Sequence, residues 1–438
     1  MYNNDTIYAL ATPEGKSAIA VYRISGKNCQ KIIKKITKIQ KIIPNKAILT
    51  NIYISKKNKK IIDRGIIIYY KSPKTYTGEN MLEISIHGSL ATINSLNKAL
   101  NSTSLCRIAE PGEFTKRAFE NNKIDLVQAE SIIDLINAET ELQREQAIGH
   151  LSGSFGKKIK NIEGKTKKIL ANYEAIIDFS EEEIPKNLKK KNIEQTKNII
   201  KEVENILDDN SYGERIRKGF DISIVGKPNS GKSSLINYLA KRELAIVSKT
   251  PGTTRDIIEL NYDMGGFPVV FYDTAGIRKP KNNIEKIGIR KAIERSKKSS
   301  INIVIIEKKE EMMEYKQKIE NIIFIQSKID IRKNLIVDKN IINISSKTGK
   351  GINKLMRKVK KSLNFYAKMS PTTYVSRERH RKILSDFIKN MKKSIKTSQA
   401  DISAEEIKNS LNNLSKLTGK YDIEEILGII FKDFCIGK

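Results

Sequence analysis

The sequence predicts a multidomain α/β and α+β protein: an N-terminal α+β domain, then a helical domain interrupted by an inserted phosphate-binding domain with a doubly wound parallel sheet. Three observations carry this expectation. The 438 residues exceed one ordinary hydrophobic core, so length alone implies two or three domains. Hydrophobic periodicity changes along the chain, from short strand-like runs to amphipathic helical spacing. Within the helical sequence lies a stretch, residues 219–364, in which strands and helices alternate as a parallel sheet covered on both faces requires.

The first domain, residues 1–120, mixes β-rich runs (Ala18 to Ile24, Gly65 to Tyr70, Met81 to Ile86) with turn signals such as Ser72-Pro73 and Thr77-Gly78. From Ile124 the pattern becomes helical, with Leu126, Ala129, Ile133 and Ile136 at spacings of three and four. Lys- and Glu-rich helical sequence continues to about Ser211, and the helical domain is assigned to residues 121–215 and 365–438. The strand-like run Phe220 to Val225 opens the inserted domain. At the C-terminal end, Ile423, Ile426, Leu427, Ile430, Phe431 and Phe434 form one apolar face, which predicts a docked final helix.

Composition narrows the class. Hydrophobic residues make up 39% and aromatics 6%, with no Trp, so the cores must be built from Ile, Leu and Val. The net charge of +31 attracts phosphate polyanions and makes nucleic acid the first partner to consider. Lys is scattered through every segment, however, and a coding bias toward Lys, Ile and Asn accounts for the excess equally well. Cys29, Cys106 and Cys435 are too few and too dispersed for a disulfide framework or a zinc site, which fits a reducing compartment, with the cytoplasm as default. Neither a secretory leader nor a run of about 18 apolar residues is present, so no membrane partner is expected.

The chemistry-bearing motif is Gly226, Lys227, Pro228, Asn229, Ser230, Gly231, Lys232, Ser233, which matches G-x-x-x-x-G-K-S between a strand and the helix of Ser234, Leu235, Ile236 and Leu239. Glycines let backbone N–H groups close around phosphates at a helix N-terminus, Lys232 reaches the terminal phosphates, and the Ser233 hydroxyl ligates Mg²⁺. A chance Gly-rich turn is the competing reading. Asp273, Thr274, Ala275 and Gly276 follow the strand Val269 to Tyr272, which puts a carboxylate at the Mg²⁺ shell and a glycine N–H near the γ-phosphate. Between the two lie Ser248, Lys249, Thr250, Pro251, Gly252, Thr253, Thr254, Arg255 and Asp256; Thr254 is expected to complete the Mg²⁺ shell when GTP is bound.

Base choice falls to Ser327, Lys328, Ile329 and Asp330 after the strand Ile322 to Ile325, where a carboxylate accepts the two hydrogen bonds offered by guanine N1 and its exocyclic amine. Adenine lacks that pair of donors. The usual motif begins with Asn, and Ser327 stands in its place. Ser345, Ser346 and Lys347 resemble the loop that closes over the base. Hydrolysis needs an oriented water, yet Ile277 occupies the position where small GTPases often carry Gln. Asn229 offers a side-chain carbonyl for a monovalent cation bridging the phosphates, against the reading of a solvated loop Asn. Glu285 is the nearest carboxylate able to position water, against that of an ordinary helix-surface Glu.

With these motifs and the terminal Phe434-Cys435-Ile436-Gly437-Lys438 assembled, the chain resembles the MnmE (TrmE) family of tRNA-modification GTPases over nearly its whole length. Asp5-Thr6-Ile7, Arg23-Ile24-Ser25-Gly26, Tyr76 to Glu83 and His87-Gly88 carry the likeness near the start. The longest match is Pro111 to Phe119 followed by Lys123 to Glu130. The resemblance implies a folate-binding N-terminal domain that also dimerises, a helical domain and an inserted GTPase domain activated by K⁺. Folate contacts would fall on Arg23, Glu83, Lys123 and Lys438; K⁺ contacts on Asn229, Thr253 and the backbone carbonyls of Ser248 and Thr250; and the water-orienting role on Glu285.

The family works with MnmG, a flavoprotein holding FAD, to install an aminomethyl-type group on the wobble uridine of certain tRNAs. The one-carbon unit comes from 5,10-methylenetetrahydrofolate, whose site also takes the 5-formyl analogue. Cys435 lies in the family's terminal motif, where a small apolar role is the alternative to a functional one. Three departures stand out: Glu14-Gly15-Lys16-Ser17 in place of a Gly-rich stretch, Lys249 before the Thr-rich turn, and the segment Glu307 to Lys318 without an Asp after its strand. Two other classes share the GTPase domain, an RNA-binding switch in ribosome assembly and a folate one-carbon transferase with an accessory switch. Residues Tyr76 to Glu130 and the CIGK end weigh against the first.

Overall fold

The computed structural model describes residues 5–55, 60–179, 187–209, 211–242, 245–246, 259–273, 294, 296–332, 334–364, 375–419, 434 and 437. The chain divides into two compact units, residues 1–133 with 415–438, and residues 134–414.

The first unit is built on a six-stranded sheet. Its elements are β1 (Ile7–Leu10), β2 (Ser17–Ser25), α1 (Cys29–Ile36), β3 (Ala47–Tyr53), β4 (Ile61–Tyr70), β5 (Met81–Gly88), α2 (Leu90–Ser102), β6 (Arg107–Ile108) and α3 (Glu113–Glu120), with α4 (Leu126–Ile136) leading out of it. Strand order is β3-β4-β5-β2-β1-β6, antiparallel except for β6 on β1. Period-two alternation sends Tyr22 and Ile24 of β2, Ile67 and Tyr69 of β4, and Leu82, Ile84 and Ile86 of β5 to one face. There they meet Ile32, Ile33 and Ile36 of α1 and Ile93, Leu96 and Leu100 of α2. The aliphatic core expected from composition is therefore what closes this layer. In α4, Leu126 and Ala129 of the predicted stripe are buried, but Ile136 is 43% exposed, because the buried arc includes Val127, Glu130 and Ser131 instead.

Three family-like segments converge on one ion network in this unit. Arg117 of α3 binds Asp5 at 2.7 Å, Glu113 at 2.9 Å and Glu79 at 3.1 Å, while Arg107 holds Asp5 at 2.6 Å and Glu113 at 2.7 Å. Burial pushes the carboxyls of Asp5 and Glu113 up, but the hydrogen bonds and charge of the two guanidinium groups outweigh it and hold both below the usual carboxylate range.

The second unit opens with α5 (Glu141–Leu151), α6 (Ser154–Asp178), α7 (Leu188–Leu207) and α8 (Tyr212–Lys218). The sheet domain follows as β7 (Phe220–Gly226), α9 (Lys232–Ala240), β8 (Ala245–Ile246), β9 (Glu259–Met264), β10 (Phe267–Asp273), β11 (Ile301–Ile305), α10 (Glu311–Lys316), β12 (Ile322–Gln326), β13 (Ile341–Asn343) and α11 (Ile352–Asn364). Helical sequence then returns in α12 (Glu378–Ser394) and α13 (Ala400–Thr418). Helix α12 packs on α7, and Lys392 pairs with Glu204 at 2.6 Å, so helices before and after the sheet domain meet as an insertion requires.

Strand order is β13-β12-β11-β7-β10-β9-β8. Five strands are parallel, and apolar residues cover both faces: Ile222, Ile224, Ile303 and Ile325 join α9 and α11, while Val225, Val304 and Phe324 pack with Met312 of α10. Two antiparallel strands, β9 and β8, extend the edge where the sequence predicts only parallel ones. The cause is local. Gly265 and Gly266 both have positive φ, 61° and 96°, and this two-residue turn folds β10 back on β9. Among the described residues no helix is long and apolar enough to cross a membrane.

Candidate nucleotide site

Strand β7 runs through the middle of the parallel sheet, with Gly226 opposite Ile305 of β11 and Ile224 opposite Asp273 of β10. The loop leaving it therefore starts at the carboxyl ends of parallel strands, where open α/β sheets place their ligands. Gly226 cannot be larger: a Cβ there would lie 2.8 Å from the Ser230 Oγ and 2.9 Å from the Ile305 carbonyl. Asn229 and Gly231 take positive φ, 59° and 106°, and turn the loop into the first turn of α9. Only Gly231 does so without a Cβ penalty. The loop thus runs directly into a helix N-terminus, whose unpaired N–H groups favour phosphate.

Lys232 opens α9 and is only 6% exposed; its Nζ donates to the carbonyls of Gly226 and Lys227, each at 2.8 Å. Ser233, in the first turn of the same helix, is exposed, as are the Ser234 and Asn229 side chains. Lys227 is engaged elsewhere, paired with Glu311 at 2.6 Å.

Because β12 and β13 are parallel neighbours, with Gln326 opposite Asn343, the loops that follow them emerge side by side. Ser345, fully buried, donates its hydroxyl to Asp330 Oδ1 at 2.7 Å and accepts the N–H groups of Lys347 and Thr348 at 3.2 Å each. The Ser345 hydroxyl, followed by the Asp330 backbone N–H, holds the exposed Asp330 carboxyl below its ordinary range. It is thus an ionised acceptor throughout the neutral range, as recognition of the guanine edge requires.

The residue in place of the usual Asn has its own task. Ser327, 2% exposed, donates its hydroxyl to the Ser230 carbonyl, and Lys328 Nζ donates to the Asn229 carbonyl at 2.7 Å. The loop after β12 is therefore fastened to the phosphate loop by two hydrogen bonds. The sequence shows at Ser327 only a departure from the usual Asn; for these two bonds the short polar side chain at the end of β12 is the one local signal.

Strand β10 delivers Asp273 beside the phosphate loop through its backbone pairing. Ser248, Lys249, Thr250, Pro251, Gly252, Thr253, Thr254, Thr274, Ala275, Gly276 and Glu285 lie outside the described residues, as do Cys435, Lys438 and most of the terminal apolar face.

In the first unit, Arg23 of β2 and Glu83 of β5 are register partners joined by a 3.0 Å ion pair. The Arg23 guanidinium lies 5.6 Å from the centre of the Tyr76 ring, and the Tyr70 hydroxyl donates to Glu83 at 3.3 Å. Lys123 packs by its Cε against Gly78, so three of the four residues expected at folate surround the turn Tyr76 to Gly78. Gly437 sits against the backbone of Leu10 and Ala11, at the end of the strand that pairs with Arg23.

Comparison with known proteins accords with this arrangement. A model described as MnmE helical domain matches residues 126–435, and one described as GTP-binding protein TrmE N-terminus matches residues 6–123. A protein of Pelagibacter ubique named tRNA modification GTPase MnmE is 41% identical over 454 residues, covering 99% of this chain and 100% of the relative. Its namesakes in Rickettsia bellii and Parvibaculum lavamentivorans are 38% and 36% identical, each again over 99% of this chain and 100% of their own. With a Gly226 to Ser233 phosphate loop at the sheet's carboxyl edge and likeness along its full length, the chain belongs to the MnmE family of tRNA-modification GTPases and is a GTP hydrolase.

Proposed function

We propose that this GTPase works on tRNA with an MnmG-like flavoprotein, adding an aminomethyl or carboxymethylaminomethyl group at C5 of the wobble uridine from a folate one-carbon unit. The observation that carries the reading is the pairing, in one chain of this family, of the nucleotide loop with a first unit whose Arg23, Glu83 and Lys123 gather at one turn. Arg23 and Lys123 supply cations for a folate glutamate, Glu83 a carboxylate for its pterin, and Lys438 a further cation. The flavin sits on the partner, and the compartment is the cytoplasm. Deleting the gene should remove the wobble modification from bulk tRNA, read by nucleoside mass spectrometry; an unchanged nucleoside profile overturns the reading.

Homodimerisation through the first unit is part of this proposal. Leu49 and Ile66, register partners on β3 and β4, are 58% and 42% exposed, with Ile61 exposed on the same strand pair. Such an apolar cluster at a sheet edge favours a second protein surface. The flavoprotein then completes a heterotetramer.

At the nucleotide, Ser233 and Thr254 are assigned to Mg²⁺, with Asp273 beside them. Asn229, Thr253 and the carbonyls of Ser248 and Thr250 are assigned to K⁺. Asn229 fits the role because its side chain is exposed while Lys328 fixes its backbone carbonyl. A monovalent cation held by these residues would supply positive charge to the phosphates, as an arginine finger does in other GTPases. Replacing Asn229 by Ala should therefore lower GTP turnover in K⁺ by about tenfold or more, with little change in Na⁺. Equal turnover of wild type in the two salts rules the assignment out. Glu285 is assigned to orient the attacking water. Glu285→Ala should slow single-turnover hydrolysis by ~10²-fold while the Kd for GTP stays within about threefold; a large loss of affinity contradicts the role.

A further inference from the structure

The charge of the chain is spread widely, but its neutralisation is uneven. On the long helices outside the sheet domain, lysines meet carboxylates: Lys165 with Glu202, Lys167 with Glu163, Lys392 with Glu204 and Lys393 with Glu406. Helix α11 is different. Its sequence INKLMRKVKKSLN carries Lys354, Arg357, Lys358, Lys360 and Lys361 and no Asp or Glu. Ile352, Leu355, Val359 and Leu363 are buried in the sheet core, which leaves all five cations on the exposed side. Among the described residues no ion pair involves any of them.

Beside this helix lies a cleft of about 390 Å³, lined by Lys358, Lys361 and Ser362 of α11 and by Ser300, Asn321 and Ile322 near the starts of β11 and β12. These are the amino ends of the parallel strands, opposite to the end that carries the phosphate loop. The cleft is therefore separate from the nucleotide site. Its lining combines the two lysines with Ser300, Ser362, Asn321 and three isoleucines, and includes no carboxylate. Two more exposed lysines, Lys297 and Lys298, come just before Ser300 in the chain.

We propose that the exposed face of α11 and this cleft form a docking surface for the phosphodiester backbone of RNA. Lys354, Lys358 and Lys361 follow one side of the helix at steps of three and four residues, about 5 Å apart. That row can track successive phosphates. Lack of acids alone does not set α11 apart, since α1 (CQKIIKKI) also has none; what does is five exposed cations on one helix, two of them lining a cleft. The cleft lining includes no aromatic ring on which a base could stack, so the surface contributes affinity and orientation and not sequence choice. The proposal rests on the reading that tRNA is the substrate, and it names where the GTPase-bearing unit would touch it.

The test is binding of a fluorescent unmodified tRNA transcript to the full chain, across a series of KCl concentrations. Lys358→Ala with Lys361→Ala should weaken binding by about tenfold near 0.1 M salt and lower the slope of log affinity against log salt by about 2. The Lys358→Arg, Lys361→Arg variant should bind like the wild type. Lys31→Ala with Lys34→Ala, which removes the same charge from exposed positions on α1, should leave affinity within about twofold. Unchanged GTP affinity shows that the alanine variant is folded. Should the α11 variant bind as tightly as wild type, or the α1 variant lose as much, the docking surface is refuted while tRNA remains the partner. A wild-type chain that binds no tRNA overturns both readings.

Discussion

Lys232→Ala should abolish measurable GTP binding at micromolar protein. The ammonium is not a surface charge that water could replace. It lies within the loop, held by two 2.8 Å bonds to the loop's own carbonyls and almost wholly withdrawn from solvent. Hydrogen bonds from such a charged group contribute about 1.5–3 kcal/mol each. Losing two toward the phosphates costs about 3–6 kcal/mol, or roughly 10²- to 10⁴-fold in Kd. Isothermal titration with GTP and GDP reads this directly, and a loss below about threefold would show that the backbone amides alone bind the phosphates.

Asp330→Asn should convert the base preference instead of merely weakening it. In the wild type both carboxylate oxygens are acceptors, and Ser345 fixes one of them at 2.7 Å, which aims the group without neutralising it. Guanine offers N1–H and an exocyclic amine to this pair. An amide offers one acceptor and one donor, so it loses the amine contact and sets two donors against each other. The expected cost is about 3 kcal/mol, or roughly 10²-fold in GTP affinity. Xanthine, with a carbonyl in place of that amine, suits the amide, and XTP should bind the variant more tightly than GTP does. Competition between GTP, XTP and ATP on one protein sample is sufficient. If the variant keeps its order of preference, Asp330 does not read the base.

What was legible in the sequence was local. The phosphate loop could be read because its glycines, lysine and serine must stand at fixed offsets between a strand and a helix, and β7 and α9 begin and end where that requirement puts them. The parallel strands announced themselves as runs rich in Ile, Val and Phe, since both faces are covered. Strand β9 gave a weaker signal: ELNYDM alternates because only one side is buried, and its direction is set by the turn at Gly265 and Gly266. Long-range partners were out of reach. Nothing local in Asp5, Glu79, Glu113 and Arg117 reveals that they share one ion network, although each stands in a segment singled out by likeness to the family. Ser327 is the clearest instance. As a departure from Asn it reads as a loss, whereas its carbonyl partner lies 97 residues away in the chain.

That bond and the one from Lys328 tie residues 229 and 230 to the segment proposed to read guanine. On that assignment the two ends of the ligand would be met by a single fastened piece of protein, and neither end would be sensed alone. A nucleoside without phosphates, or a polyphosphate without its nucleoside, steadies only one jaw of a clasp whose halves share a pin. Whatever loosens the pin, even far from the triphosphate, must be felt at its γ end.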